Sequence, residues 1–332
     1  MRLGIVGPSL IWDKRHYPAL QALTDTFTVT AFCAASDRRK AAVAEQYPGV
    51  PYMTDYDAFL RRDDIDAVVM LTPIALNGPL SQQALEAGKD VFLEKPMAHT
   101  LEIGQKLVRT SKDLGRRLWI LEQDAFDPRY PLIRDILASG EIGDPVYFDY
   151  VFHFTFDDGE NNGGGYGLTT WRQQPEFPIG MLLDGGHHNI AALACIFGPP
   201  TSIFATGIKL REGFGEFDQL TAHFMYDGRL RGAFSHAAYL SNKRNLFDIH
   251  CTRGILTVEW EQLIVTPAEG ETRIIPLAQA NTHDIMWGQF AQRVKSGGDV
   301  DYPADAALAD LTTLFAIRES AVSGHVIALG GL

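Results

Sequence analysis

The heptapeptide Asp90-Val91-Phe92-Leu93-Glu94-Lys95-Pro96 constrains this chain more than any other stretch. An apolar run delivers an acid, a base and a proline in immediate succession. Such a run reads as a buried strand. Pro96 ends it, because proline has no N–H to give to a ladder. Lys95 is thereby held at the carboxyl end of a strand, where open α/β sheets place their ligands. On these residues alone, a strand-end lysine paired with a neighbouring acid accounts for the run equally well. The flanking chain has to decide.

Strands and helices alternate on both sides of it. Residues 3–7 read as a short strand ending in glycine, 27–35 and 67–71 as further strands, and 118–121 as another. Between them, helical spacing covers 16–23, 37–47, 80–87 and 100–114. Ser36 or Asp37 is expected to cap the second helix, and Gly88 and Gly115 to stop the last two. This alternation predicts an α/β fold with a doubly wound parallel sheet of the Rossmann type over residues 1–121.

In such a sheet the first strand-to-helix turn carries the dinucleotide fingerprint G-x-G-x-x-G, which lets a pyrophosphate approach the backbone. Here Gly7 is present, Ser9 takes the second glycine position and the third has no clear glycine. Leu10, Ile11 and Trp12 are expected to crowd the approach, with Lys14 or Arg15 supplying charge to the phosphates unless the segment is an ordinary surface loop. At the end of the second strand, Asp37 would favour NAD through the ribose 2′-hydroxyl. Ser36 in that place, with Arg38 or Arg39 beside it, would accept a 2′-phosphate. One residue of register decides between them, and NADP is slightly preferred.

The second half has another character. Residues 131–138 read as a helix and 146–156 as a strand. Residues 157–170 are rich in Gly and Asn, a loop suited to a lid or idle at the surface. Strand-like runs follow at 202–209, 220–226, 230–235, 246–251, 255–260 and 263–267, joined by turns such as Asp227-Gly228 and Arg253-Gly254. They predict an α+β domain over residues 122–332 with a large, mostly antiparallel sheet. Helices at 282–295 and 303–323 close the chain.

The totals exclude several classes. At 332 residues there is room for two domains. A net charge of -12 leaves no basic surplus for nucleic acid. Three cysteines without a Cys-x-x-Cys pattern point to buried thiols in a reducing compartment, not to disulfides or zinc. Residues 3–12 are apolar but interrupted by Pro8 and followed by charges, unlike a signal peptide. No run approaches a membrane span. The expected location is the cytoplasm.

Ile65-Asp66-Ala67-Val68-Val69, Thr72-Pro73 and the string from Ala87 to Pro96 resemble the Gfo/Idh/MocA oxidoreductase family, and Asp184-Gly185-Gly186-His187-His188 matches its D-x-G-x-H motif. The resemblance covers nearly the whole chain. Asn77 stands where that family often has a histidine. The resemblance implies NAD or NADP as cofactor, held by Gly7, Ser9, Ser36, Asp37, Arg38, Thr72, Pro73, Asn77, Glu94 and Lys95. It also implies a sugar or polyol substrate, Lys95, Asp184 and His188 as catalytic residues, and an open-faced sheet in the second domain, with helices on one face and the other left for a homodimer or homotetramer.

The chemistry of these residue types agrees. If residues 184–197 form one helix, Asp184 and His188 share a face. His188 suits general acid–base work near neutral pH. Lys95 can stabilise charge on a reacting oxygen, and Asp184 can orient the substrate or tune His188. Trp171 and Arg172 are candidate substrate contacts, Arg172 being suited to a carboxylate or hydroxyl array. His187 reads as a packing histidine. Adjacent histidines chelate poorly on a helix, so no metal is expected. Two alternatives share these residues: a non-catalytic dinucleotide or sugar sensor, and a lyase or hydrolase that retains its nicotinamide.

Overall fold

The computed structural model describes residues 1–155 and 169–330. It divides into two compact units, Met1–Phe126 with Asn281–Leu311, and Asp127–Ala280 with Thr312–Leu332.

Among the described residues of the first unit, β1 (Arg2–Val6), β2 (Thr28–Cys33), β3 (Tyr52–Met53), β4 (Ala67–Met70), β5 (Asp90–Glu94) and β6 (Leu118–Leu121) form a six-stranded parallel sheet. Its order is β3-β2-β1-β4-β5-β6, so the winding reverses between β1 and β4. This is the doubly wound Rossmann-type sheet the alternation predicts. Every residue of β4 and β5 is buried, as covering both faces of a parallel sheet requires. That is why both strands are nearly continuous apolar runs.

The helices of this unit are α1 (Tyr17–Gln21), α2 (Lys40–Gln46), α3 (Tyr56–Leu60), α4 (Ile74–Glu86) and α5 (Leu101–Asp113). Asp55 caps α3 and Thr100 caps α5, each accepting a main-chain N–H three residues on. The expected cap on the second helix is absent. Residues 37–39 form a 3₁₀ turn ahead of α2, and Ser36 makes no side-chain cap bond. α4 starts at Ile74 rather than near residue 80, because Pro79 lies inside the helix instead of opening it. β3 and α3 are too short to show a period in sequence.

In the second unit come α6 (Arg129–Ser139), β7 (Pro145–Thr155), α7 (Thr170–Gln173), α8 (Met181–Asp184) and α9 (His187–Phe197). There follow β8 (Ser202–Ile208), β9 (Gln219–Met225), β10 (Arg231–Ala237), β11 (Tyr239–Cys251), β12 (Gly254–Val258), β13 (Gln262–Pro267) and β14 (Arg273–Pro276). α10 (Thr282–Ser296) belongs to the first unit, α11 (Ala304–Ser323) contributes to both, and β15 (Ile327–Ala328) to the second. The described strands of this unit form a nine-stranded sheet, order β14-β13-β12-β11-β7-β10-β9-β8-β15. It is antiparallel throughout except where β10 runs parallel to β7. Its core face carries Phe148, Phe224, Phe234 and Ile249, and Phe197 of α9 stacks on Phe148 at 5.1 Å.

β11 starts seven residues before the run at 246, and its polar opening hides it from a hydrophobic pattern. Residues 156–168, most of the expected lid, lie outside the described residues. Among the described residues no helix is long and apolar enough to cross a membrane.

Candidate functional site

In the first unit the candidate residues gather at the carboxyl ends of β1, β2, β4 and β5. Gly7 follows β1 with a φ of 72° and donates its N–H to Cys33 O at 2.8 Å. A Cβ at Gly7 would stand 2.9 Å from Leu71 O and 3.0 Å from Thr72 Cγ2, so a side chain there would meet the end of β4. Helical hydrogen bonding then begins, with Asp13 N donating to Ser9 O. The first N–H groups of a helix have no intrahelical acceptor, which makes this exposed start fit for a phosphate.

The expectation that Trp12 crowds the approach is corrected. Trp12, in the third glycine position, is fully buried in the core. It packs edge-on against Phe32 at 5.6 Å and donates through Nε1 to Gln46 Oε1 at 2.8 Å. A glycine at this position normally allows close helix–strand packing. Here residues Trp12–His16 form a π-helical turn, whose wider backbone accommodates the indole. Lys14 and Arg15, on the same turn, are exposed.

Asp13 accepts from Gln46 Nε2 at 3.0 Å and pairs with Arg39, tying the helix after β1 to the one after β2. Neither Asp13 nor Gln46 stood out in sequence, since no motif links them. Beyond β2, Ser36, Asp37 and Arg38 are exposed, and Asp37 faces Lys40 at 3.7 Å. Burial, with Asp55 nearby, pushes the Cys33 thiol up to about 11, so it stays protonated at neutral pH.

Thr72, Pro73 and Asn77 lie where β4 turns into α4. Asn77 is fully enclosed. Its Oδ1 accepts from Thr72 Oγ1 at 2.9 Å, and its Nδ2 donates to Glu94 O at 3.1 Å and Pro96 O at 3.4 Å. Asn77 therefore holds the main chain on both sides of Lys95, across a Lys95–Pro96 peptide that is cis. The Glu94 side chain is buried and meets His16 Nε2 at 2.9 Å. His16 is a residue that the sequence pattern passes over, with no signal in its neighbours to mark it. Lys95 itself is half-buried.

In the second unit, Asp184 and His188 are not on one continuous helix. α8 ends at Asp184 and α9 starts at His187, with Gly185-Gly186 forming a turn between them. The Gly186 N–H reaches back five residues to Met181 O, a widening that separates the two helices. Asp184 is buried, His188 half-buried, and His187 fully enclosed. Arg172 donates through Nε to Asp184 Oδ2 at 2.6 Å and through Nη1 to Thr169 Oγ1 at 3.3 Å. Its guanidinium stacks on the Trp171 ring at 3.9 Å, and Trp171 leans on Phe177. Arg172 and Trp171 thus form one assembly with Asp184. Ile179, just before α8, has a φ of 66°, a conformation a β-branched residue adopts only under constraint. Its N–H is held by Glu216, whose carboxyl the Arg318 guanidinium keeps below the usual range.

Residues 1–122 match the family model described as "Oxidoreductase family, NAD-binding Rossmann fold", and residues 130–257 match the GFO/IDH/MocA C-terminal domain. An oxidoreductase from Thermotoga maritima has a similar solved structure, with 28% identity and a TM-score of 0.90 over 99% of this chain and 98% of that one. The 1,5-anhydro-D-fructose reductase of Ensifer adhaerens is 25% identical over 98% of this chain and 97% of its own length. The dTDP-3,4-didehydro-2,6-dideoxy-alpha-D-glucose 3-reductase of Saccharopolyspora spinosa is 27% identical over 92% of this chain and 91% of its length.

Proposed function

The chain belongs to the Gfo/Idh/MocA family of oxidoreductases, and from that premise we propose that it transfers a hydride between a nicotinamide dinucleotide and a secondary hydroxyl or carbonyl of a sugar, polyol or related molecule. The observation that carries the reading is the placing of Lys95. It follows β5, beside the reversal of winding at β1 and β4, and Asn77 holds the main chain on both sides of it. Ligands of open α/β sheets bind at such a position.

The nicotinamide, when bound, supplies or accepts the hydride. Gly7 and Ser9, at the helix start, would hold the pyrophosphate. Lys95 hydrogen-bonds the reacting oxygen and offsets the charge that develops there. His188 exchanges the hydroxyl proton as general acid or base. Asp184, oriented by Arg172, and Trp171 shape the substrate's surroundings. The sugar class is supported by the two named reductases above.

NADP is the dinucleotide we favour. The residues directly after β2 are Ala34, Ala35 and Ser36, and the first carboxylate, Asp37, faces Lys40. Arg38 stands beside them for a 2′-phosphate. The face of the nine-stranded sheet that carries Tyr147, Asp149, His153 and Ser235, all half-buried, is the surface proposed for a dimer or tetramer. Cys33 and Cys251 are free thiols, in keeping with a reducing compartment such as the cytoplasm.

Fluorescence titration with NADPH and NADH tests the reading first. Saturable binding, tighter for NADPH, is expected. No binding of either at millimolar concentration would overturn it.

A further inference from the structure

The two neighbours of Lys95 are restrained from opposite faces of β5. From one side Asn77 of α4 takes the carbonyls of Glu94 and Pro96. On the other, the Glu94 carboxylate receives His16 Nε2 at 2.9 Å, and His16 Nδ1 receives the Trp287 indole N–H at 3.0 Å. An indole nitrogen only donates. Nδ1 must therefore be bare, and the imidazole proton sits on Nε2, where it donates to Glu94. The hydrogen bonds fix the tautomer.

These three groups are sealed in. His16 and Trp287 are fully enclosed, and Glu94 is 8% exposed. Phe92, two residues before Glu94 and so on the same face of the strand, packs on Trp287 at 5.1 Å. His283 meets the His16 ring edge-on at 5.6 Å. A buried carboxylate needs such a donor, since desolvation without one is costly.

From this geometry we infer that His16 is a positioning residue for Lys95, acting by keeping the Glu94 carboxylate on the core face of β5. The inference rests on reading Lys95 as the group that meets the substrate oxygen. Glu94 is the last residue of its strand, so its side chain stays inward only while something holds it. Released, the carboxylate would turn toward water at the carboxyl end of the sheet. There it would compete for the adjacent Lys95 ammonium and draw it away from the place where it meets a reacting oxygen. The same histidine lies on the π-helical turn that follows Gly7 and Ser9, so one side chain ties the dinucleotide turn to the lysine.

Nuclear magnetic resonance of protein labelled at lysine and histidine tests this without a substrate. The Lys95 Cε and Nζ signals are assigned by their loss in Lys95→Met. They are expected to shift in His16→Leu, which packs but cannot donate. They should return toward wild type in His16→Gln, whose amide can donate to Glu94, and in His16→Leu/Glu94→Gln, which has no carboxylate to capture the lysine. A histidine that merely fills the core would show no such rescue by the double variant. In the wild type, one histidine should carry its proton on Nε2, and its Nδ1 signal should move in Trp287→Phe. An Nδ1–H tautomer for His16 would overturn the inference, as would a folded His16→Leu with unmoved Lys95 signals. If His16→Leu fails to fold, the wild-type tautomer and Trp287→Phe decide. Titrating NADPH and NADH into the same samples separates the outcomes. Failure of wild type to bind either would overturn the proposed function, and the lysine signals would still judge His16.

Discussion

Arg172 Nε lies 2.6 Å from Asp184 Oδ2, and the two side chains are only 14% and 6% exposed. Removing one member of a buried pair leaves the other charge desolvated. Arg172→Ala is therefore expected to lower unfolding free energy by about 3 kcal/mol. Arg172→Lys should recover only part of this, because lysine lacks the planar group that stacks on Trp171. Denaturant unfolding of both variants checks the order.

Gly7→Ala places a Cβ 2.9 Å from Leu71 O in a backbone with positive φ. The clash is with main chain at the end of β4 and cannot be relieved by rotating a side chain. A strain of about 1–3 kcal/mol should weaken NADPH binding roughly tenfold or more, read by fluorescence titration. Unchanged affinity would separate this turn from the dinucleotide.

Asn77→Ala removes the donor to Glu94 O and Pro96 O and strands two buried carbonyls. A loss of about 1–3 kcal/mol is expected, measured by thermal or chemical unfolding. Asn77→Asp should be no better, since a carboxylate cannot donate to either carbonyl.

Asp310 is buried and its carboxyl is pushed up to about 8, chiefly by burial and further by Glu122, against the opposing hydrogen bond from Tyr302. The folded protein thus holds a proton that the unfolded chain gives up near pH 4. The contribution to stability is complete below that pH and is lost as pH rises toward about 8. Asp310→Asn, which stays neutral, should gain on wild type by on the order of a few kcal/mol across this window. Parallel stability curves for the two proteins would refute it.

How much of this could be read from the chain depends on where each partner lies. β4 and β5 are legible because a strand covered on both faces is nearly all apolar, and the turn residues Thr72-Pro73 and Lys95-Pro96 mark their ends. β11 is not, because its first residues pair through main chain and need no apolar pattern. Asp184 and His188 are visible as a spacing, yet Gly185-Gly186 breaks the helix that would have put them on one face. His16 is silent in sequence because its partners are 78 and 271 residues away. Trp12 misleads, since only the π-helical turn shows that the indole goes into the core.

The most direct test of the whole account is turnover by Lys95→Met, followed as oxidation of NADPH with a sugar or keto-polyol carbonyl on which the wild type is active. A rate lower by about 100-fold or more is expected, the effect of removing a group that stabilises developing charge. A variant that turns over at the wild-type rate would contradict it.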